Sequence, residues 1–151
     1  KEGPASPTLE RRMDLHIHVP SDLNLTELSP EQALRRVAIR MAQLMAGTDS
    51  QVVYRIVIGE GQSFPALRDW FFDHVVASIR RTLEDYFEQQ VAAGRLQLPS
   101  PKAGAGQFYM SLFGDQVLRL AAGGPHLPDV DTLEAQALAA VDVFLRGALP
   151  R

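Results

Sequence analysis

The chain has 151 residues, of which 46% are hydrophobic and 22% are charged, and its formal net charge is -3. This length predicts one domain with a sizeable core, and it is too short for a (β/α)8 barrel, which needs about 200 to 250 residues. The mild acidity argues against a surface that grips nucleic-acid phosphates, and the absence of cysteine excludes disulfides and thiolate metal sites.

The first distinctive stretch is MDLHIHVP, residues 13–20, whose Asp-x-His-x-His run is typical of metal-dependent amidohydrolases. A shared metal needs a strand, because only a two-residue period places His16 and His18 on one side. The preceding SPTLERR, residues 6–12, carries the opening signals of a helix, in which the two imidazoles would diverge by about 200°. We therefore expect a helix without a metal site. A hydrolase fragment built on His16 and His18 is the alternative.

Two helices are predicted between residues 29 and 61. Ser29 suits an N-cap, Pro30 suits the first helical position, and Gly47 ends an apolar stripe of three- and four-residue spacing. The next segment, TDSQVVYRIVIGE, is rich in β-branched residues, which favour a strand. We predict a short buried helix there, because cap residues stand directly before it and a glycine pair follows.

The clearest element begins at Pro65 and ends at Gly94, and its apolar stripe predicts a helix of about 40 Å. Two more helices are predicted within residues 105–124 and 129–150, joined by a proline-rich loop that contains His126. The sequence therefore predicts an all-α domain of five to six helices. We find one domain, residues 1–151, with no internal repeat.

Methionine and aromatic side chains are frequent along these helices. For most of them the ordinary interpretation is a filled core. A cavity lined by such side chains, with a few polar tips such as Tyr54 and His74, would also suit a promiscuous small-molecule pocket.

The stretch VVYRIVIGEGQSFPALRDWFFDHVVASIRRTLEDYFEQQVAAGRL, residues 52–96, contains an ordered set of motifs: an apolar helix with a Gly/Glu turn, Phe-Pro-x-Leu at the next helix start, and a closing Gly-x-Leu. The motif positions are Phe64, Pro65, Leu67, Gly94 and Leu96. This set resembles the effector-binding half of the TetR/AcrR family of bacterial transcriptional repressors. The resemblance extends over residues 29–149.

The resemblance implies an all-helical domain whose last two helices, at Ala105–Ala122 and Leu133–Leu149, form a dimeric four-helix bundle. By position, the implied ligand-binding residues are Met13, His16, Met41, Met45, Tyr54, Trp70, His74, Phe108 and Tyr109. The implied dimer-interface residues are Leu112, Gln116, Leu120, Ala137, Val141, Phe144 and Leu145.

The helix-turn-helix domain of that family is not in this chain. The resemblance therefore implies a cytoplasmic homodimer that binds a small-molecule effector and reaches operator DNA only through the absent N-terminal domain. The helix carrying Met13 and His16 would transmit effector binding as a population shift. We expect no cofactor, metal, catalytic residue or membrane contact. Besides the hydrolase fragment, a helical adaptor without a ligand remains an alternative.

Overall fold

Five helices make up the part of the chain that the computed structural model describes, residues 23–124 and 127–151. They are α1 (Pro30–Ala46), α2 (Thr48–Glu60), α3 (65–92), α4 (Pro101–Ala121) and α5 (Val130–Ala148). No strand occurs within these ranges. The predicted all-α fold is confirmed, whereas the helix predicted before residue 20 lies outside the described residues.

Short polar side chains begin three of the helices. At α1 the Ser29 hydroxyl accepts a hydrogen bond from the Gln32 backbone N–H at 3.3 Å, and Gln32 Oε1 accepts one from the Ser29 N–H at 3.2 Å. This capping box satisfies two amides that the helix leaves unpaired. Ser100 and Asp129 accept single hydrogen bonds from the third residue beyond at the starts of α4 and α5.

The β-branched segment after Gly47 is a helix, α2, as predicted. Its buried residues include Val53, Tyr54 and Val57, which repeat at helical spacing and face the core. The burial of this face outweighs the strand preference of the valines and isoleucines, because β propensity is mainly a measure of packing context. The cap residues given as the reason for this prediction do not cap the helix, because its N-cap position is Gly47 and no side-chain hydrogen bond is made there.

The helices enclose one continuous core. α1 packs along α5, and the second half of α3 packs along α4, which also contacts α2 and α5. A cluster of phenylalanine rings joins the last three helices: the Phe144 ring lies 5.5 Å from that of Phe87 and 5.2 Å from that of Phe108, measured between centroids. Next to Phe87 in the chain, the Tyr86 hydroxyl donates a 2.7 Å hydrogen bond to the Leu28 carbonyl.

Two helices depart from regular geometry. The α3 helix contains a π-helical turn at Phe71–Val76, between the α-helical parts Pro65–Trp70 and Ala77–Ala92, and the Ala77 N–H there donates to the Phe72 carbonyl. The α4 helix is kinked at Phe113, where φ is -143° and ψ is 22°. The Ser111 hydroxyl donates to the Phe108 carbonyl at 2.7 Å, and such back-bonding bends helices.

No helix in the described ranges is long and apolar enough to cross a membrane.

Candidate functional site

Two tyrosines from different helices meet inside the described structure. Tyr54 on α2 is 7% exposed, and Tyr109 on α4 lies close enough to influence its ionisation. Burial raises the pKa of Tyr54 well above its ordinary value, and the neighbouring Tyr109 raises it further. Burial also raises the pKa of Tyr109. Both phenols are therefore neutral at physiological pH.

One aromatic ring from the start of α3 lies beside Tyr54. The Phe71 ring meets that of Tyr54 edge-on, with centroids 5.2 Å apart and planes at 76°. The preceding residue, Trp70, stacks on the exposed His74 ring at 5.2 Å, and His74 Nδ1 lies 3.1 Å from the Trp70 carbonyl oxygen. Tyr54 is therefore in contact with the Phe71 ring, and the Trp70–His74 stack is a separate contact on α3.

A positive charge lies at the outer side of the pair. The guanidinium carbon of Arg80 is 5.9 Å from the centroid of the Tyr109 ring, which is within the range of a cation–π contact. Arg80 is exposed, so its charge remains largely hydrated.

The irregular parts of both flanking helices fall at the level of the tyrosine pair. Phe71, which contacts Tyr54, opens the π-helical turn of α3, and Phe113, where α4 is kinked, lies four residues after Tyr109. Single π turns inside α-helices occur frequently at functional sites. This coincidence distinguishes the tyrosine pair from the regular core around Phe87.

The structure separates the predicted ligand-binding residues into three groups. Met41, Met45 and Phe108 are buried members of the core, at most 3% exposed. The pairs Tyr54 with Tyr109 and Trp70 with His74 are in contact, although His74 is exposed. Met13 and His16 lie outside the described residues.

Phe71 and Arg80 contact the site but were not predicted as ligand residues. Phe71 belongs to the apolar stripe of α3, which sequence reasoning assigned to the core, and nothing in the sequence pairs an exposed arginine with Tyr109. Two open clefts of the described structure lie elsewhere. One of about 660 Å³ is lined by Leu96, Gly147 and neighbouring residues, and one of about 490 Å³ follows the arginines of α1. Neither reaches the tyrosine pair.

The predicted dimer-interface residues lie mostly inside the chain's own core. Six of them, Leu112, Gln116, Leu120, Ala137, Val141 and Leu145, are buried within one chain. The seventh, Phe144, is half-buried against the phenylalanine cluster. Gln116 Nε2 donates a 2.6 Å hydrogen bond to Gln136 Oε1 and so links α4 to α5.

The opposite faces of α4 and α5 carry exposed apolar side chains. Leu118 is 71% exposed, Val143 is 73% exposed, and Met110 is 49% exposed. Because each lies across its helix from the buried residues, α4 and α5 are apolar on two sides. We call Met110, Gly114 and Leu118 on α4, with Ala139, Val143 and Gly147 on α5, the outer face.

The glycines of the outer face have space around them. A Cβ added to Gly114 or Gly147 would meet no atom within 4 Å. A glycine inside a helix costs about 0.5 to 1 kcal/mol relative to alanine. No close contact within this chain explains why glycine, and not alanine, stands at these two positions.

The described residues hold no group of three or more His, Asp and Glu side chains that could bind a metal.

Residues 32–147 match the family described as the C-terminal domain of AefR-like transcriptional repressors. Among solved structures, the fold is similar to that of a TetR-family transcriptional regulator from Mesorhizobium loti MAFF303099, with a TM-score of 0.74 and 19% identity over 95% of this chain and 71% of that one.

A second similar structure is that of a flavonoid-responsive regulator, FrrA, with a TM-score of 0.71 and 25% identity over 97% of this chain and 74% of that one. Curated protein sequences give no match to the chain.

Proposed function

Because the chain belongs to the TetR-type C-terminal domain family of AefR-like transcriptional repressors, we propose that it pairs with a second copy and binds a small-molecule effector. Effector binding would change the operator affinity of a helix-turn-helix domain outside residues 1–151. This role is regulatory and not catalytic, and it would be exercised in the cytoplasm, where operator DNA lies. The hydrolase and adaptor alternatives have no support in the family match.

The outer face carries the dimerisation part of the proposal. An apolar side chain as exposed as Leu118 or Val143 gains little from its own chain and gains free energy when a partner covers it, at about 25 cal/mol per Å² of apolar surface buried. A twofold axis would place the same face on both copies, so four helices would form a bundle. The open space around Gly114 supports the close approach of helices that such a bundle needs.

The proposed interface is the outer face of α4 and α5, and the residues expected on sequence grounds lie on the opposite face of the same two helices. Leu112 and Val141 already fill the core of one chain and are not available to a partner. Sequence reasoning selected the more continuous apolar stripe of each helix, which is the one that faces inward.

The tyrosine pair supports the effector part of the proposal. It lies between α2, α3 and α4, away from the outer face of α5, and α4 contributes both Tyr109 and Leu118. The kink at Phe113 lies between these two residues. A ligand that shifts Tyr109 would therefore act on the same helix that carries the proposed dimer contact, by its differential affinity for two arrangements. Since one similar structure is named flavonoid-responsive, flavonoids are the first effectors to test.

A repression reporter tests the dimerisation part. We would fuse the chain to a helix-turn-helix head that binds its palindromic operator only as a dimer. The wild-type fusion should repress the reporter, and Leu118→Glu should abolish repression, because a carboxylate at a paired apolar face must be desolvated.

The matched control is Val52→Glu, which places the same charge at an apolar residue of α2 that is 46% exposed. This fusion should repress like the wild type. Repression by Leu118→Glu at the wild-type level, with equal amounts of fusion protein, would exclude the outer face as the interface.

A further inference from the structure

The last part of α4 is a short helical segment of its own. The kink at Phe113 interrupts the helix, and residues 114–121 follow it as about two turns. We call these residues the terminal segment. It carries Gly114 and Leu118 of the outer face, and Leu118 is 71% exposed. The tilt of the terminal segment therefore decides how these two residues are presented to a second copy.

The terminal segment ends in a turn that requires glycine. Gly123 has a φ of 74°, which is in the left-handed region. Its N–H donates to the Leu120 carbonyl at 3.1 Å, and the Gly124 N–H donates to the Arg119 carbonyl at 2.8 Å, which is the Schellman pattern of a helix end. A Cβ added to Gly124 would lie 2.8 Å from the Arg119 oxygen. The turn therefore fixes the Gly124 carbonyl relative to the terminal segment.

A cation from α2 lies against this turn. Nη2 of the half-buried Arg55 donates a 3.3 Å hydrogen bond to the Gly124 carbonyl. The carboxyl end of a helix carries a partial negative charge, so a cation beside it is stabilising. Partial burial strengthens this attraction, because less water screens it. Arg55 therefore ties α2 to the end of the terminal segment.

A second polar contact holds the terminal segment to α5. Gln116, which is 4% exposed, donates a 2.6 Å hydrogen bond from Nε2 to Gln136 Oε1. The helix on the other side of this contact, α5, itself contributes to the outer face. Of the two contacts, the one made by Arg55 joins the outer face to a helix that lies outside it.

We infer that Arg55 is a positioning residue for pairing between two copies: by holding Gly124, it fixes the tilt of the terminal segment. This inference rests on the proposed pairing through the outer face. A segment whose orientation is already fixed in the free chain loses less conformational entropy on pairing, so the affinity is higher. The position of α2 thereby controls the pairing surface, although the outer face contains no residue of α2.

Sedimentation equilibrium measures the contribution of Arg55 to pairing. Arg55→Met keeps an apolar side chain and removes the guanidinium, and the dissociation constant of the dimer should rise about tenfold. Arg55→Lys keeps a cation at the helix end and should stay within about threefold of the wild type. The matched control is Arg68→Met, which removes a half-buried arginine that is paired with Asp69 on α3. This control should pair like the wild type.

Amide hydrogen exchange separates positioning from a general loss of stability. It is measured in the Val143→Arg background, which should not pair, so that exchange reports on the free chain. Adding Arg55→Met should speed exchange in the terminal segment about tenfold and leave residues 105–112 unchanged, and Arg55→Lys should keep exchange slow. If Arg55→Met does not fold, Arg55→Gln, which keeps an amide donor without the charge, replaces it, with changes expected in the same direction.

The inference is overturned if folded Arg55→Met pairs as tightly as the wild type, or if Arg55→Lys or Arg68→Met weakens pairing as much as Arg55→Met. Exchange of the terminal segment at the wild-type rate in Arg55→Met also overturns it. A wild-type chain that does not pair contradicts the proposed interface instead, and the exchange experiment still decides whether Arg55 holds the terminal segment.

Discussion

At the scale of single residues, the tyrosine pair couples the fold to alkaline pH. Burial raises the pKa of both Tyr54 and Tyr109 above the ordinary value of 10.0. A group whose pKa is raised on folding contributes stability that is fully present below its unfolded pKa and is lost as pH rises through its folded pKa.

We therefore expect the free energy of unfolding to be constant up to about pH 10 and to fall above it. Tyrosinate absorbance near 295 nm should then appear together with the loss of helical circular dichroism. Two tyrosines that ionise near pH 10 while the helices stay intact would show that these hydroxyls are solvated in the folded chain.

Single residues also show how far the sequence could predict the site. Tyr54, Trp70, His74 and Tyr109 were all expected at a ligand site, and the structure joins them into two contacting pairs. Their pairing could not be predicted, because an apolar stripe gives the face of a helix and not the helix that covers it. Phe71 was missed for the same reason.

At the scale of elements, the helix boundaries could be predicted from capping residues and glycines in the sequence. The capping box at Ser29 starts α1, and Gly94, with a φ of 73°, follows α3. That φ is in the left-handed region where glycine is favoured, so a glycine after a helix is an informative stop signal. The π-helical turn in α3 was not predicted, since the apolar stripe runs through it without interruption.

A matched pair of deletions tests the π-helical turn. A π turn amounts to one extra residue in an α-helix. Deleting the exposed Asp73 should therefore restore regular α-helical backbone hydrogen bonds and leave the chain folded, with its helical circular dichroism retained. Deleting the exposed Asp85, in the regular part of α3, should rotate the rest of the helix by about 100° and unfold the domain. Equal loss of structure in both variants would contradict a π turn at Phe71–Val76.

At the scale of the whole molecule, the all-α fold was predictable because helical periodicity persists through nearly every segment. The surface available for pairing could not be predicted, because α4 and α5 are each apolar on two faces and the sequence does not show which face is buried within the chain. The exposed fraction of each side chain in the structure separates the two faces: Val141 is buried in the chain, whereas Val143 is 73% exposed. Phe144 would be a poor choice for testing the interface, since its ring stacks on Phe87 and a charge there would disrupt the core.

Sedimentation equilibrium of the wild-type chain and of Val143→Arg tests the central claim most directly, with Val52→Arg as the control. We expect the wild type and the control to sediment at twice the 16.6 kDa of one chain. Val143→Arg should sediment at the mass of one chain with its helical circular dichroism unchanged. A monomeric wild type, or a Val143→Arg variant that remains dimeric, would contradict the proposal of a regulator domain that pairs through the outer face.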